Sequence, residues 1–408
     1  MFKVTVRDLV WWNGVAIATS PVEVEEGKTF TKPDTSDVSR DGYTFLEFRL
    51  QGEETRYDFS TPVTSDITLV AIWKPTKETY EKIVKDELAD AIKSNLIDVN
   101  KKLAPISAVF DASNRKGYIT VPKNITADDL KNNGIVTMIR NIISNNALLS
   151  YTMEGSTKRD LVQGGEAISN GAIANMIVED LGKASTIQDP SFDKAAAIIN
   201  KLASDKKVLK ATFDISLGSE YNDETVTDNY ELHFLREMDE TSKKQSEDAF
   251  TTLMDKTTTD VNNQGAFVTS YKDNVYTLAI RPEKLGYKGA DMIGIGFKTA
   301  MINFLTGGNV GKNGVVQENL KNVTIEVDGK SIAVDKGQMD MIVKEKDLSN
   351  QLKPFMGLFL KEGQEVDKLP LSQLVDKSCT FTYTYVNEAT GESYTQTRTM
   401  KFEEYKEP

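Results

Sequence analysis

Two stretches constrain the fold of this chain more than any other feature: TFDISLGSEYNDETVTDNYELHF at residues 212–234 and TFTYTYVNEATGESYTQTRTMKF at residues 380–402. Each alternates apolar and polar positions on both sides of a polar centre, which is the pattern of a β-hairpin. Aligned without a gap, Phe213, Ile215 and Leu217 take the places of Phe381, Tyr383 and Tyr385. Leu232 and Phe234 take those of Met400 and Phe402. Alternation alone generates part of such a match. Other landmarks recur in the same order, however, with Asp98-Val99-Asn100 answered by Asp260-Val261-Asn262. A tandem duplication is therefore expected.

The elements between these landmarks repeat too. Tyr80, Val84, Leu88, Ile92 and Leu96 recur every fourth residue, and Glu78–Lys82 and Glu81–Lys85 add exposed pairs, so the first copy opens on an amphipathic helix. Phe250, Leu253, Met254 and Val261 mark a matching helix over 246–261. Strands follow at 117–122 and 276–282, then helices at 137–143 and 299–305. Further helices are expected at 167–181 and 193–202, with weaker counterparts at 313–320 and 348–358. The reading is an α+β chain in which residues 76–238 and 239–408 each run helix, strands, helices, hairpin.

The first 75 residues differ in character. Residues 2–6, 22–25, 43–48 and 67–73 alternate as strands, Trp11-Trp12-Asn13-Gly14 reads as a turn, and Thr61-Pro62 breaks the chain before the last strand. Phe59, Val63, Leu69 and Trp73 are the expected core. The runs GKTFTKP (27–33), RDGYTFLEF (40–48) and YDFSTPVTSDITLVAIW (57–73) resemble the Listeria–Bacteroides repeat, over roughly residues 2–74. The chain departs from that pattern at Glu47-Phe48, where the family has Gly-Trp, and in the loop Trp12-Asn13-Gly14-Val15. The resemblance implies a small β-grasp-like domain over 1–75 and a secreted or cell-surface bacterial protein. A domain this short buries little surface and is marginal alone.

Composition narrows the function. With 39% hydrophobic and 27% charged residues the chain is of the folded kind. A net charge of −12 repels nucleic acid and anionic membranes. One Cys and one His leave neither an internal disulfide nor a Cys/His zinc site. No apolar run is long enough to span a bilayer, and MFKVTVRDLVWW lacks a secretory h-region, so export implies a signal segment upstream.

Residues with chemistry are few. His233, between Leu232 and Phe234 and matched by Lys401, reads as an exposed strand residue. Cys379, matched by Ala211 and sharing a face with Phe381, reads as a small buried one. TGGNVGKNG (306–314) departs from a phosphate loop, since Thr306 holds the first Gly position and Asn313 the hydroxyl position. Gly294-Ile295-Gly296 lacks the third Gly of a dinucleotide site. Ser-x-x-Lys occurs at Ser113, Ser191 and Ser204 without companion motifs. Asn222-Asp223-Glu224 and Asp228-Asn229 read as acidic hairpin-loop residues without calcium-loop order. Thr380, Thr382, Thr384, Thr395, Thr397 and Thr399 line one hairpin face, and Tyr383, Tyr385 and Tyr394 are residues that stack on sugars if exposed. No catalytic, cofactor or metal residue is assigned and no cofactor is expected. The expected function is non-catalytic: a surface protein whose duplicated region binds a ligand or adheres to a host or cell-wall protein or glycan, the leading domain acting as spacer. A purely structural spacer is the alternative, and carboxylate-based polysaccharide cleavage the third.

Overall fold

The structure, a computed structural model, describes residues 1–10, 16–17, 21–36, 38–131, 134–261, 266–288, 302–307, 319–344 and 355–407. They form two compact units, Met1–Lys85 with Leu217–Val226, and Asp86–Ser216 with Thr227–Pro408.

In the first unit, β1 (Phe2–Arg7), β4 (Val22–Val24), β5 (Tyr43–Leu50) and β6 (Ile67–Pro75) form a four-stranded mixed sheet in the order β4-β1-β6-β5. β1 and β6 run parallel and the other pairs antiparallel. Short strands β2 (Leu9–Val10) and β3 (Ala16–Ile17) pair separately. Alternation turns Val4, Val6, Leu69 and Ala71 inward around Phe48 and Val63, with Phe45, Phe59 and Trp73 packed against them. β5 carries one extra residue, Leu46, between Phe45 and Glu47, and the bulge turns this leucine out to solvent. Pro62 costs the sheet nothing. Its neighbour Val63 donates to the carbonyl of Lys28, and Gly27 donates to that of Val63. Residues 217–226 belong to this unit. Tyr221 stacks on Tyr80 at 4.5 Å, donates to the Pro75 carbonyl at 2.9 Å, and lies near the Lys77–Glu224 ion pair.

The second unit is built on a twelve-stranded mixed sheet. Its first run of chain provides β7 (Ser107–Asp111), β8 (Lys116–Val121), β9 (Leu148–Met153), β10 (Arg159–Asp160), β13 (Val208–Ser216) and β14 (Thr225–Glu237). These lie in the order β7-β8-β14-β13-β9-β10. A small pair, β11 (Val162–Gln163) and β12 (Glu166–Ala167), stands apart. The second run provides β15 (Phe267–Lys272), β16 (Val275–Ile280), β17 (Leu320–Val327), β18 (Lys330–Asp335), β19 (Ser378–Asn387) and β20 (Glu392–Glu404), in the order β15-β16-β20-β19-β17-β18. β8 joins β14 in parallel, as β16 joins β20, and the two runs meet where Arg236 and Glu237 pair with Glu392 and Ser393.

The registers correspond closely. Lys116 faces Glu231 and Val275 faces Thr399. Opposite Asp214 and Ile215, β9 has one extra residue, Leu149; opposite Thr384 and Tyr385, β17 has one extra residue, Lys321. The hairpins, however, do not align without a gap. Leu217 donates to the Glu224 carbonyl and Thr212 bonds Asn229, whereas Asn387 pairs with Glu392 and Thr380 with Thr399. The first connection therefore has six residues and the second four, so Ala211, three residues before the bulge partner Asp214, corresponds to Phe381 and not to Cys379. Periodicity of two cannot detect a slip of two.

Long apolar periodicities mark helices well. α1 (Lys77–Leu103), α2 (Ile135–Asn145), α3 (Asn170–Ser185), α4 (Ala195–Ser204) and α5 (Glu240–Val261) stand where helices are expected, and residues 302–305 are helical. α6 (Lys336–Lys344) and the strands β9, β17 and β18 go beyond the sequence reading. Leu320, expected to end a helix, begins β17, and residues 313–318 and 348–354 lie outside the described residues. α2, α3 and α4 pack on one another, with α2 against β9 and α4 against β8. Gly182 of α3 allows close approach, since a Cβ there would lie 2.2 Å from the Pro190 ring. Within this unit Lys93 of α1 reaches Asp335 at 3.3 Å, both buried, and Ser113 donates to the same carboxylate at 3.0 Å.

Candidate functional site

The residues singled out in the sequence do not converge. His233 is not exposed: it is 6% accessible, and its ring lies 5.1 Å from that of Tyr118. β14 is covered on both faces, because Val109, Tyr118, Leu235 and Val386 form a second apolar cluster. Burial lowers the His233 pKa, against the pull of a 3.3 Å contact between Nε2 and Glu231. Cys379 is fully buried, and burial pushes its thiol up, so it is held as the unreactive thiol. The threonines do share a face, with 380 opposite 399, 382 opposite 397 and 384 opposite 395, but Thr384 is buried. Tyr383, Tyr385 and Tyr394 are all core residues, Tyr385 and Tyr394 stacking at 4.6 Å, so none forms a sugar platform. Asp228 and Asn229 lie within β14 rather than in the loop, and Asp228 accepts from Arg115 at 3.0 Å. Lys116 pairs with Glu388 at 3.0 Å and Lys194 donates to the carbonyls of Gln188 and Asp189, which leaves the Ser-x-x-Lys lysines at Ser113 and Ser191 engaged. Thr306 is buried and donates to the Ile302 carbonyl. Residues 308–314, 294–296 and 11–14 lie outside the described residues.

Two groups of buried charge deserve separate accounts. Asp111 and Asp335 are neighbouring buried carboxylates. Burial raises the Asp111 pKa, but Asn114 donates to Asp111 twice, and Asp335 is taken up by Lys93, Ser113 and the Gln338 amide. Glu388 receives Lys321 at 2.7 Å, Lys116 and the Tyr118 hydroxyl. Burial works to raise its pKa, yet these donors prevail and hold it at about 2. These charges line a polar depression with Asn319, Asn387 and Tyr385, and they already compensate one another there.

The distinctive site is an apolar cavity of about 320 Å³ between the sheet and helices of the first run. Its floor is Ala108, Ile119, Leu232, Phe234, Ala211, Phe213 and three residues of β9. The extra residue in β9 reverses the alternation, so Leu148 joins Tyr151 and Met153 on that floor. Ile139 of α2, Ile173, Ile177 and Leu181 of α3 and Ile199 of α4 form the roof. A second cavity of about 140 Å³ shares Leu130, Ile135, Ile177, Leu181 and Ile199 with it and extends to Phe192, which is 52% exposed. Ile119, Ile139, Ile177, Leu181, Ile199, Phe213 and Leu232 are only half-buried.

Among the described residues no titratable carboxyl, amine, imidazole or thiol lines either cavity. The one phenol, Tyr151, directs its hydroxyl to Asp180 at 2.8 Å, and Asp180 also receives Arg159 at 2.8 Å. Burial works to raise the pKa of Asp180, but these bonds outweigh it and keep the carboxyl below its ordinary range. The network thus fixes β9, β10 and α3 while leaving the cavity entirely apolar. The arrangement is suited to excluding water from hydrocarbon, not to moving protons. Sequence reasoning missed it. The signal was the aliphatic composition of residues 130–199, which reads equally well as an ordinary core.

Residues 12–72 match the family model of the Listeria-Bacteroides repeat domain. Repeats of this family are typical of bacterial surface proteins. No curated protein and no solved structure matches the chain. Among the described residues no helix is long and apolar enough to cross a membrane.

Proposed function

We propose that this is a non-catalytic bacterial surface protein whose α+β region is a ligand-binding module and whose β-grasp-like leading repeat is a spacer. The region is read as a tandem duplication in which the first copy binds and the second serves as scaffold. The equal strand orders, parallel joins and bulges of the two runs support that reading. The observation that carries the binding function is the cavity. A void of about 320 Å³ would cost on the order of 8 kcal/mol at roughly 24 cal/mol per Å³. That rivals the whole net stability of a domain, about 5–15 kcal/mol. Binding sites, by contrast, have volumes of about 300–1,000 Å³ with apolar walls.

Surface location is tested by treating intact cells with proteinase K. Fragments carrying residues 76–408 should be lost from whole cells. Protection until lysis would refute export. Binding is tested by 1-anilinonaphthalene-8-sulfonate fluorescence on the folded full chain, with enhancement expected. Absence of saturable dye binding would favour the structural-spacer reading, which the tightly packed second run supports.

A further inference from the structure

We infer that the cavity of the first run receives one flexible aliphatic chain, the acyl tail of an amphiphile, with its polar head left at the mouth beside Leu130, Ile135 and Phe192. The inference rests on the binding-module reading and adds the chemistry of the ligand. Three observations carry it. First, the two cavities adjoin across one shared set of aliphatic lining residues, Leu130, Ile135, Ile177, Leu181 and Ile199, and the smaller one reaches Phe192. Second, among the described residues no side chain lining either cavity offers a hydrogen-bonding partner, since the Tyr151 hydroxyl is committed to Asp180. A glycan or peptide would bury hydroxyls or amides there without partners, which is costly. Hydrocarbon carries no such cost. Third, the space depends on one small side chain. Ala211 lies on the floor of the cavity, and its counterpart Phe381 is fully buried against Phe304 at 4.8 Å and Phe355 at 5.9 Å. A phenyl ring occupies in the second run the place that the first leaves free.

The charged head of such a ligand stays in water because, among the described residues, no buried cation or anion lines the cavities to receive it. Recognition is therefore of the chain, and its strength should follow chain length. Each methylene buried contributes about 0.8 kcal/mol, which is roughly a fourfold gain in affinity per carbon until the cavity is full.

The test is calorimetric titration of the delipidated full chain with octanoate, dodecanoate and hexadecanoate, and with palmitoyl-lysophosphatidylcholine below its micelle concentration as the esterified source. Affinity should rise from octanoate to dodecanoate, and both head groups should be accepted. Ala211→Phe should weaken dodecanoate binding at least tenfold while raising the melting temperature. Should that variant not fold, Ala211→Leu and Ile177→Phe test the same space from floor and roof. Affinity independent of chain length, or a folded Ala211→Phe protein that binds dodecanoate unchanged, would overturn the inference. Binding of a sterol or a rigid aromatic in an Ala211-dependent manner, without binding of any acyl chain, would overturn the acyl assignment and leave the binding module standing. If nothing binds, both fail.

Discussion

The two runs of the second unit share a strand order and differ in what fills them. In the first, aliphatic side chains and Ala211 surround a cavity of about 320 Å³. In the second, Phe250, Phe304, Phe355, Phe359, Phe381 and Tyr383 interlock through tilted and edge-to-face contacts, and the space beside Leu305 and Met339 is only about 20 Å³. Equal ladders with unequal interiors show that sheet topology here is set by backbone pairing and alternation, which tolerate large changes of side-chain volume. Whether a core is solid or hollow is decided by a few positions, of which 211 and 381 are the clearest pair.

The contrast can be broken most forcefully at the solid side. Phe381→Ala should cost about 3–5 kcal/mol in urea unfolding, because its rigid aromatic neighbours collapse poorly onto the space. A loss below about 1 kcal/mol would mean that the second core is not tightly packed. At the hollow side, Asp180→Ala should cost about 1–3 kcal/mol, since it leaves the Tyr151 hydroxyl without its acceptor, while the part-exposed Arg159 keeps Glu179 at 2.9 Å. Lys183→Ala, which removes only an exposed partner of Asp180 at 3.6 Å, should change stability by less than about 1 kcal/mol and serves as the control.

Acid should act at the seam between the runs, in two windows. His233 is buried neutral with its pKa lowered, so below its ordinary value of 6.5 the unfolded chain binds more protons than the folded one. Stability should therefore fall as the pH drops below about 6.5, and His233→Phe should flatten that slope in thermal melts. Glu388, held at about 2, contributes stability that is present above its ordinary value of 4.5 and is lost between there and pH 2. Glu388→Gln should weaken this second dependence, leaving the part that comes from Asp180. Smallest of all, Phe192→Ser should alter global stability by no more than about 0.5 kcal/mol, since the ring is half-exposed at the cavity mouth. A larger loss would place Phe192 in the core rather than at an entrance.

Much of the architecture was legible, and each failure has a physical cause. Helices α1 to α4 carry apolar residues at helical spacing, and β1, β6 and the two hairpins alternate, as does β5 apart from its bulge at Leu46. β17 and β18 were missed although Val323, Ile325 and Val327 alternate, because the glycine-rich run before them drew the reading toward loop and helix. His233 was misplaced because alternation identifies which residues share a face, not whether the opposite face is covered. That cover comes from Tyr118 and Val386, 115 and 153 residues away in sequence. Of the residues singled out by their pattern, Phe213, Leu232 and Phe234 line the cavity, but none of those with polar chemistry does.

The sequence by itself determined the long helices, most of the alternating strands and the repeat at the start. All of these follow from local periodicity and turn chemistry within some twenty residues. Only the tertiary structure decided that the first run is hollow while the described core of the second is filled, that the hairpins differ by two residues at their connections, and that a bulge in β9 turns Leu148 inward. Those outcomes depend on how the volumes of Ala211, Ile177 and Leu232, distant in the chain, add up in one place. No window along the sequence contains that sum.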